Sequence, residues 1–191
     1  MSDNKSILKQ KVFGLLDDAD LDNAKEIVER LDGLNFFTAP ASTKYHGSYP
    51  GGLAEHSMNV TNALVGLTKD LSITWQNPRS PYIIGLMHDL CKCDSYKHPA
   101  AGKLNNQPIY DPASYEHNPN TLLKGHGSKS VMMASTLLQL TEEEVLCIRY
   151  HMGAFTEKEE WSDYTRAIHK YPTVLFTHTA DMIAAHITEV K

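Results

Sequence analysis

The sequence predicts an all-α fold, a single-domain helical bundle, on three observations. Apolar residues recur at the three- and four-residue steps of helices along most of the chain. No segment shows a convincing period-2 alternation of the kind that predicts a strand. Helix-start signals are also present: Ser80-Pro81 begins one segment, and Thr141 with Glu144 forms a capping box at another. At 191 residues the chain is long enough for one well-buried domain and short for two.

The first third of the chain contains three predicted helices. Residues 4–16 and 22–32 form two short amphipathic helices, and Gly33 ends the second. The Pro- and Gly-rich loop "TAPASTKYHGSYPGG" then leads to a helix over residues 52–70. In that helix His56 lies on an apolar stripe formed by Leu53, Val60, Leu64 and Leu67.

The remaining two thirds contain four further helices and one long irregular segment. The segment "SPYIIGLMHDL" predicts a helix from Ser80 to about Cys91, with Ser80 as N-cap. Residues 94–124 carry four prolines and little periodicity, which is typical of a functional loop. Helices follow over about 127–138, after the Thr141 capping box, and from about Pro172 through "TVLFTHTADMIAAHI".

Charge and cysteine content narrow the range of functions. A net charge of -5, with the histidines neutral, disfavours a long nucleic-acid partner, because such proteins usually present a basic surface. The apolar runs are far short of a membrane span, and no secretory signal is visible. Cys91, Cys93 and Cys147 form neither a CxxC pair nor an even framework, which is typical of reduced thiols in a cytoplasmic protein.

Polar residues occupy several positions at which the helical pattern predicts a core. In "IIGLMHDLCKCD" the pair His88-Asp89 follows a buried apolar run, and Lys92 comes one turn later. An ionised carboxylate is costly to bury unless it is paired or binds a metal. Imidazole and carboxylate ligands suit divalent zinc, iron, manganese or nickel, and six of them exceed the needs of one tetrahedral zinc. The candidate ligands are His56, His88, Asp89, His126, His151 and Asp181.

The order His…His-Asp…His…His…Asp, with Lys92 three residues after Asp89, resembles the HD-domain superfamily of metal-dependent phosphohydrolases. The resemblance lies in the blocks "YPGGLAEHS", "GLMHDLCK", "GHGSKS", "IRYHMG" and "HTADMIA". The first block is similar to the HD domain of bacterial 3′-5′ exoribonucleases, without their OB-fold. The resemblance implies N-terminal helices over 1–39 that pack on an HD-type metal-dependent hydrolase domain over 40–191.

The resemblance also implies a role for each ligand. His56, His88, Asp89 and Asp181 would form the core metal site, with Asp89 bridging two divalent transition-metal ions (manganese, iron, nickel or zinc). The second ion would be completed by His126 and His151. Two such ions can hold a bridging hydroxide that attacks phosphorus.

Four residues are expected to bind the substrate, and two residues, one of them among those four, are expected to be catalytic. Asp89 is catalytic as the bridging ligand, and Lys92 as the cation that offsets charge on the phosphate. Lys129 and Arg149 flank predicted ligands, so they would join Lys92 in binding the substrate from a positive rim. Tyr49 precedes the first ligand by seven residues and would line the pocket mouth.

The expected reaction is hydrolysis of a phosphomonoester or a phosphodiester of a nucleotide or another small phosphorylated molecule. The residues do not separate the two ester types. One alternative is a di-iron oxygenase, since a minority branch of the superfamily resembles this chain at all six ligand types. Another is a non-catalytic module that binds a nucleotide. Hydrolysis is favoured because it is the commoner activity of the superfamily.

Several neighbouring residues have two interpretations. His46 either lines the pocket mouth or shapes a turn. His178 either orients a ligand or packs in the core. Cys91 and Cys93 are interpreted as small buried apolar residues rather than ligands.

Overall fold

Helices dominate the computed structural model, which describes residues 2–104 and 107–189. The predicted all-α class is confirmed to the extent that the described chain is mostly helical, with a few short strands. The helices are α1 (Ser2–Asp18), α2 (Ala24–Gly33), α3 (Gly52–Asp70), α4 (Ser80–Met87), α5 (His126–Leu137), α6 (Glu142–Tyr150), α7 (Trp161–Lys170) and α8 (Thr173–Ile183). A π-helical turn, Ala184–Thr188, continues α8, and a 3₁₀ turn, Leu90–Cys93, follows α4.

The sequence predicted N-terminal caps for two helices, and the structure confirms one of them. The predicted capping box is present: the Thr141 hydroxyl accepts from the backbone N–H of Glu144, whose carboxylate accepts from the Thr141 N–H. The prediction that Ser80 caps α4 is wrong, because Ser80 is the first residue of that helix. Its hydroxyl donates instead to the buried Glu144 carboxylate at 3.1 Å.

The segment 94–124 contains short strands that the sequence analysis did not predict. Strand β1 (Tyr96–Lys97) pairs antiparallel with β4 (Glu116–His117), and β2 (Ala100–Leu104) pairs antiparallel with β3 (Gln107–Tyr110). Every residue of β2 is exposed. A strand shows an apolar alternation only when one of its faces is buried, so this hairpin gives no period-2 signal.

Helix α7 was also missing from the sequence analysis, although a signal for it exists. Tyr164, Ala167, Ile168 and Tyr171 recur at helical spacing, and all four are buried or partly buried against the core. Helix α7 packs on α8, so it covers the outside of the bundle.

Helix α3 lies at the centre of the packing. It contacts α4 and α8 along its length, while α6 packs on α5 and α8. Helix α1 contacts both α3 and α4, and its Leu8, Val12 and Leu16 are buried in the same core. The crossing of α3 and α4 is close because Gly85 has no side chain: a Cβ there would lie 2.4 Å from Thr61 Oγ1. This approach brings the ends of the two helices that carry His56 and His88 together.

Among the described residues, none of the helices combines the length and the apolar character that crossing a membrane requires.

Candidate metal centre

The structure brings all six predicted metal ligands together: four histidines surround the buried Asp89 carboxylate, whose side chain is 2% exposed, and Asp181 lies 3.1 Å from His56 Nε2. The chain leaves the helical conformation at Asp89, between α4 and the following 3₁₀ turn. The other ligands come from separate elements: α3 (His56), the end of α4 (His88), the start of α5 (His126), the end of α6 (His151) and α8 (Asp181).

The two oxygens of Asp89 face different histidines. Oδ2 lies 3.4 Å from His88 Nε2 and 3.6 Å from His56 Nε2. Oδ1 lies 2.6 Å from His126 Nε2 and 3.5 Å from His151 Nε2. We call these the Oδ2 side and the Oδ1 side of the cluster. The carboxylate therefore stands between two groups of imidazoles.

Three of these imidazoles have a buried nitrogen that no hydrogen bond satisfies among the described residues. The atoms are Nε2 of His56, His88 and His151. The opposite nitrogen, Nδ1, is bonded in each case: His88 to the Gly85 carbonyl at 2.8 Å, His151 to the Ile148 carbonyl at 2.8 Å, and His56 to a carboxylate at 3.0 Å. A proton held on Nδ1 by an acceptor leaves the lone pair on Nε2. In their neutral forms, the three rings therefore direct their Nε2 lone pairs into the cluster.

Such a donor set fits divalent metal ions. A buried polar atom without a partner costs roughly 1–3 kcal/mol, which metal coordination would remove. Four groups of side chains each bring three ligand atoms within 4.8 Å of one another. They are His56, His88 and Asp181; His88, Asp89 and His151; Asp89, Cys91 and His126; and His46, His56 and Glu189. The first and second groups share His88, and the second and third share Asp89, so the three form one continuous buried His/Asp cluster that can hold metal ions.

The charges around Asp89 shift the pKa values of the side chains in the cluster. Burial opposes ionisation of Asp89, but the Lys92 ammonium, 2.6 Å from Oδ2, and the nearby imidazoles hold its pKa well below its usual value. Burial alone would also lower the pKa of His56 and of His126. Contact with carboxylates reverses this and raises these pKa values to about 9 and about 10. Burial lowers the pKa of His151.

A cavity of about 240 Å³ opens onto the cluster. Asp89, Lys92, His126, His151 and Asp181 line one side. The other walls include Tyr96 from β1 together with Ser42, His46, Met152, Phe155, His178, Met182 and His186. The segment 94–124 therefore reaches the cavity through Tyr96.

The three remaining residues predicted to bind substrate lie elsewhere and have other partners. Lys129 is buried and pairs with Asp94. Arg149 Nη2 lies 2.5 Å from Glu160 Oε1, and the Tyr49 hydroxyl lies 2.5 Å from Glu55 Oε2. Among the described residues that line the cavity, none of the three is present. Their role in binding a substrate stays a prediction.

Residues outside the predicted set complete the surroundings of the cluster. His46 lines the cavity, as one interpretation of it expected. His178 also lines it, and its Nδ1 donates to the His151 carbonyl at 2.9 Å, so it orients the segment that carries a ligand. Glu189, the carboxylate bonded to His56, was missed. A Glu beyond the last apolar turn gives no sequence signal of a distant partner.

Comparisons with known proteins do not place the chain in a family. No protein-family model, no curated protein and no solved structure matches it. The candidate metal centre is therefore defined by the side chains of this chain alone.

Proposed function

We propose that the protein is a metal-dependent phosphohydrolase of the HD type. The observation that carries this proposal is the divergence of the two Asp89 oxygens toward separate groups of histidines. A carboxylate that bridges two cations needs one oxygen for each. The six-residue order in the sequence and the mostly helical fold agree with this assignment.

The ligands divide naturally between two ions. On the Oδ2 side the ligands would be His56, His88 and Asp181, and on the Oδ1 side His126 and His151. When bound, divalent ions at such a site supply Lewis acidity and lower the pKa of coordinated water toward neutrality. Phosphoester hydrolysis needs both effects.

Residues of the cavity supply the rest of the chemistry. Lys92 lines the cavity with an ammonium group whose pKa is raised because Asp89 outweighs the effect of burial. A fixed positive charge there favours an anionic phosphoryl group and offsets the charge that develops during hydrolysis. A cavity of about 240 Å³ is smaller than the ~300–1,000 Å³ of most ligand pockets, so it favours a small phosphorylated molecule over a larger ligand.

The test is product release from a panel of phosphomonoesters and phosphodiesters by the full chain. Manganese or ferrous iron is added, and each assay is run with and without oxygen. We expect the wild type to hydrolyse at least one ester at the same rate with and without oxygen. Asp89→Ala should lose this turnover. The ester cleaved fastest would identify the substrate class.

The matched control is Asp163→Ala, which removes a half-exposed aspartate of α7 that pairs with Arg166 three residues later. It should retain wild-type turnover. Oxygen-dependent product formation would overturn hydrolysis in favour of a di-iron oxygenase. Phosphorylated ligands that bind the metal-loaded protein without any turnover would overturn it in favour of a binding module.

A further inference from the structure

His56 differs from the other buried ligands in what holds its Nδ1 atom. His88 and His151 each donate to a backbone carbonyl three residues earlier in their own helix. His56 donates instead to the carboxylate of Glu189, 133 residues away in the sequence. Only a folded C-terminal segment can supply this acceptor.

The Glu189 carboxylate is itself held in place. Its Oε1 accepts at 3.0 Å from His56 Nδ1 and at 2.9 Å from Asn59 Nδ2. His56 and Asn59 lie one turn apart on α3, so both face the same side of that helix. Glu189 directly follows the π-helical turn Ala184–Thr188, and its backbone N–H donates to the Ala184 carbonyl. With its side chain 13% exposed, Glu189 is a largely buried carboxylate aimed at one metal ligand.

We propose that Glu189 is a positioning residue for the metal ion on the Oδ2 side. Its carboxylate keeps the His56 proton on Nδ1, orients the ring, and makes Nε2 a stronger electron donor. A carboxylate behind a ligating imidazole typically strengthens metal binding by roughly 10–100-fold. On the Oδ1 side the Nδ1 atom of His151 bonds a backbone carbonyl instead, so the effect of Glu189 would fall on the ion of the Oδ2 side. This inference rests on the proposed metal centre.

The experiment measures the stoichiometry and affinity of manganese and cobalt binding by the full chain. Metal analysis after dialysis gives the stoichiometry, chelator competition gives the affinity, and the visible spectrum of bound cobalt reports the ligand geometry. We expect two ions in the wild type. Glu189→Ala should weaken one of them by about 10–100-fold and shift its cobalt spectrum. Glu189→Gln should weaken it less, because the amide oxygen can still accept from His56.

Two further variants assign the effect. Glu55→Gln removes a carboxylate next to His56 in sequence that is bonded to Tyr49 instead, so it controls for charge alone. His126→Ala removes a ligand of the Oδ1 side and should leave one ion bound. Adding Glu189→Ala to His126→Ala should then weaken that remaining ion.

The outcomes separate this inference from the proposed metal centre. A wild type that binds no metal would overturn both. Two ions in the wild type with unchanged affinities in Glu189→Ala would overturn the role of Glu189 alone. An equal loss of metal affinity in Glu55→Gln and Glu189→Gln would also overturn it, because the effect would then come from net charge. Glu189→Gln keeps the shape of the side chain, so its result stands even if Glu189→Ala unfolds.

Discussion

Replacing Gly85 with alanine tests whether the close crossing of α3 and α4 holds the candidate site together. The new Cβ would lie 2.4 Å from Thr61 Oγ1 and 2.5 Å from Thr61 Cα. Ordinary contact begins at 3.4 Å, so the helices must separate by about 1 Å, and the backbone of Thr61 cannot rotate away. Overpacking of this kind costs roughly 1–3 kcal/mol, here at the upper end. Alanine recovers about 1 kcal/mol of helix propensity relative to glycine, which leaves a net loss of about 2 kcal/mol in the free energy of unfolding.

Thermal unfolding of the metal-free protein measures this loss. In a chain of this size ~1 kcal/mol corresponds to about 2–4 °C, so Gly85→Ala should lower Tm by about 4–8 °C. The matched control is Gly66→Ala in the C-terminal half of α3, where a Cβ would meet nothing within 4 Å. That variant should raise Tm by about 2–4 °C. A Gly85→Ala protein that melts at or above the wild-type temperature would refute the reasoning.

Three other perturbations probe the charges and caps around the site. His56 and His126, with pKa values of about 9 and about 10, must each lose a proton to bind a cation. Metal affinity should therefore rise ~10-fold per proton per pH unit from about pH 6.5 to about pH 8.5. Chelator competition measures this affinity, and a flat pH profile would contradict the reasoning. Lys92→Met removes the ammonium group 2.6 Å from the buried Asp89 carboxylate, so the free energy of unfolding of the metal-free protein should fall by about 3 kcal/mol. Manganese should restore Tm, and equal Tm values for the metal-free variant and wild type would argue against this reasoning. Thr141→Ala removes the N-terminal cap of α6, at the end of that helix far from the site. The free energy of unfolding should fall by about 1 kcal/mol, while the metal stoichiometry stays at the wild-type value. A loss of bound metal would show that the cap acts on the site.

The helical part of the fold is predictable from sequence because its signals are local. Helix α3 spans the predicted residues 52–70, and the Thr141 capping box forms as expected, since both depend on contacts within one or two turns. The strands of residues 94–124 are not predictable in this way. Strand β2, for example, is exposed along its whole length, so its pairing leaves no mark on the apolar pattern.

The candidate ligands are predictable for a related reason. A histidine or aspartate at an apolar helical position, such as His56 or Asp181, is conspicuous without knowledge of its partners. The surroundings of the ligands are not conspicuous. Lys129 and Arg149 flank ligands in sequence, yet their charges meet Asp94 and Glu160.

The sequence by itself determined the helical class of this protein and the set of residues that come together in the candidate metal centre. Both follow from residue type and from spacing along single helices, where geometry repeats every few residues. Only the tertiary structure decided that the two oxygens of Asp89 face different histidines, and that Glu189 stands behind His56. Distances between groups far apart in the chain depend on how helices cross and where loops return, and no local pattern encodes them.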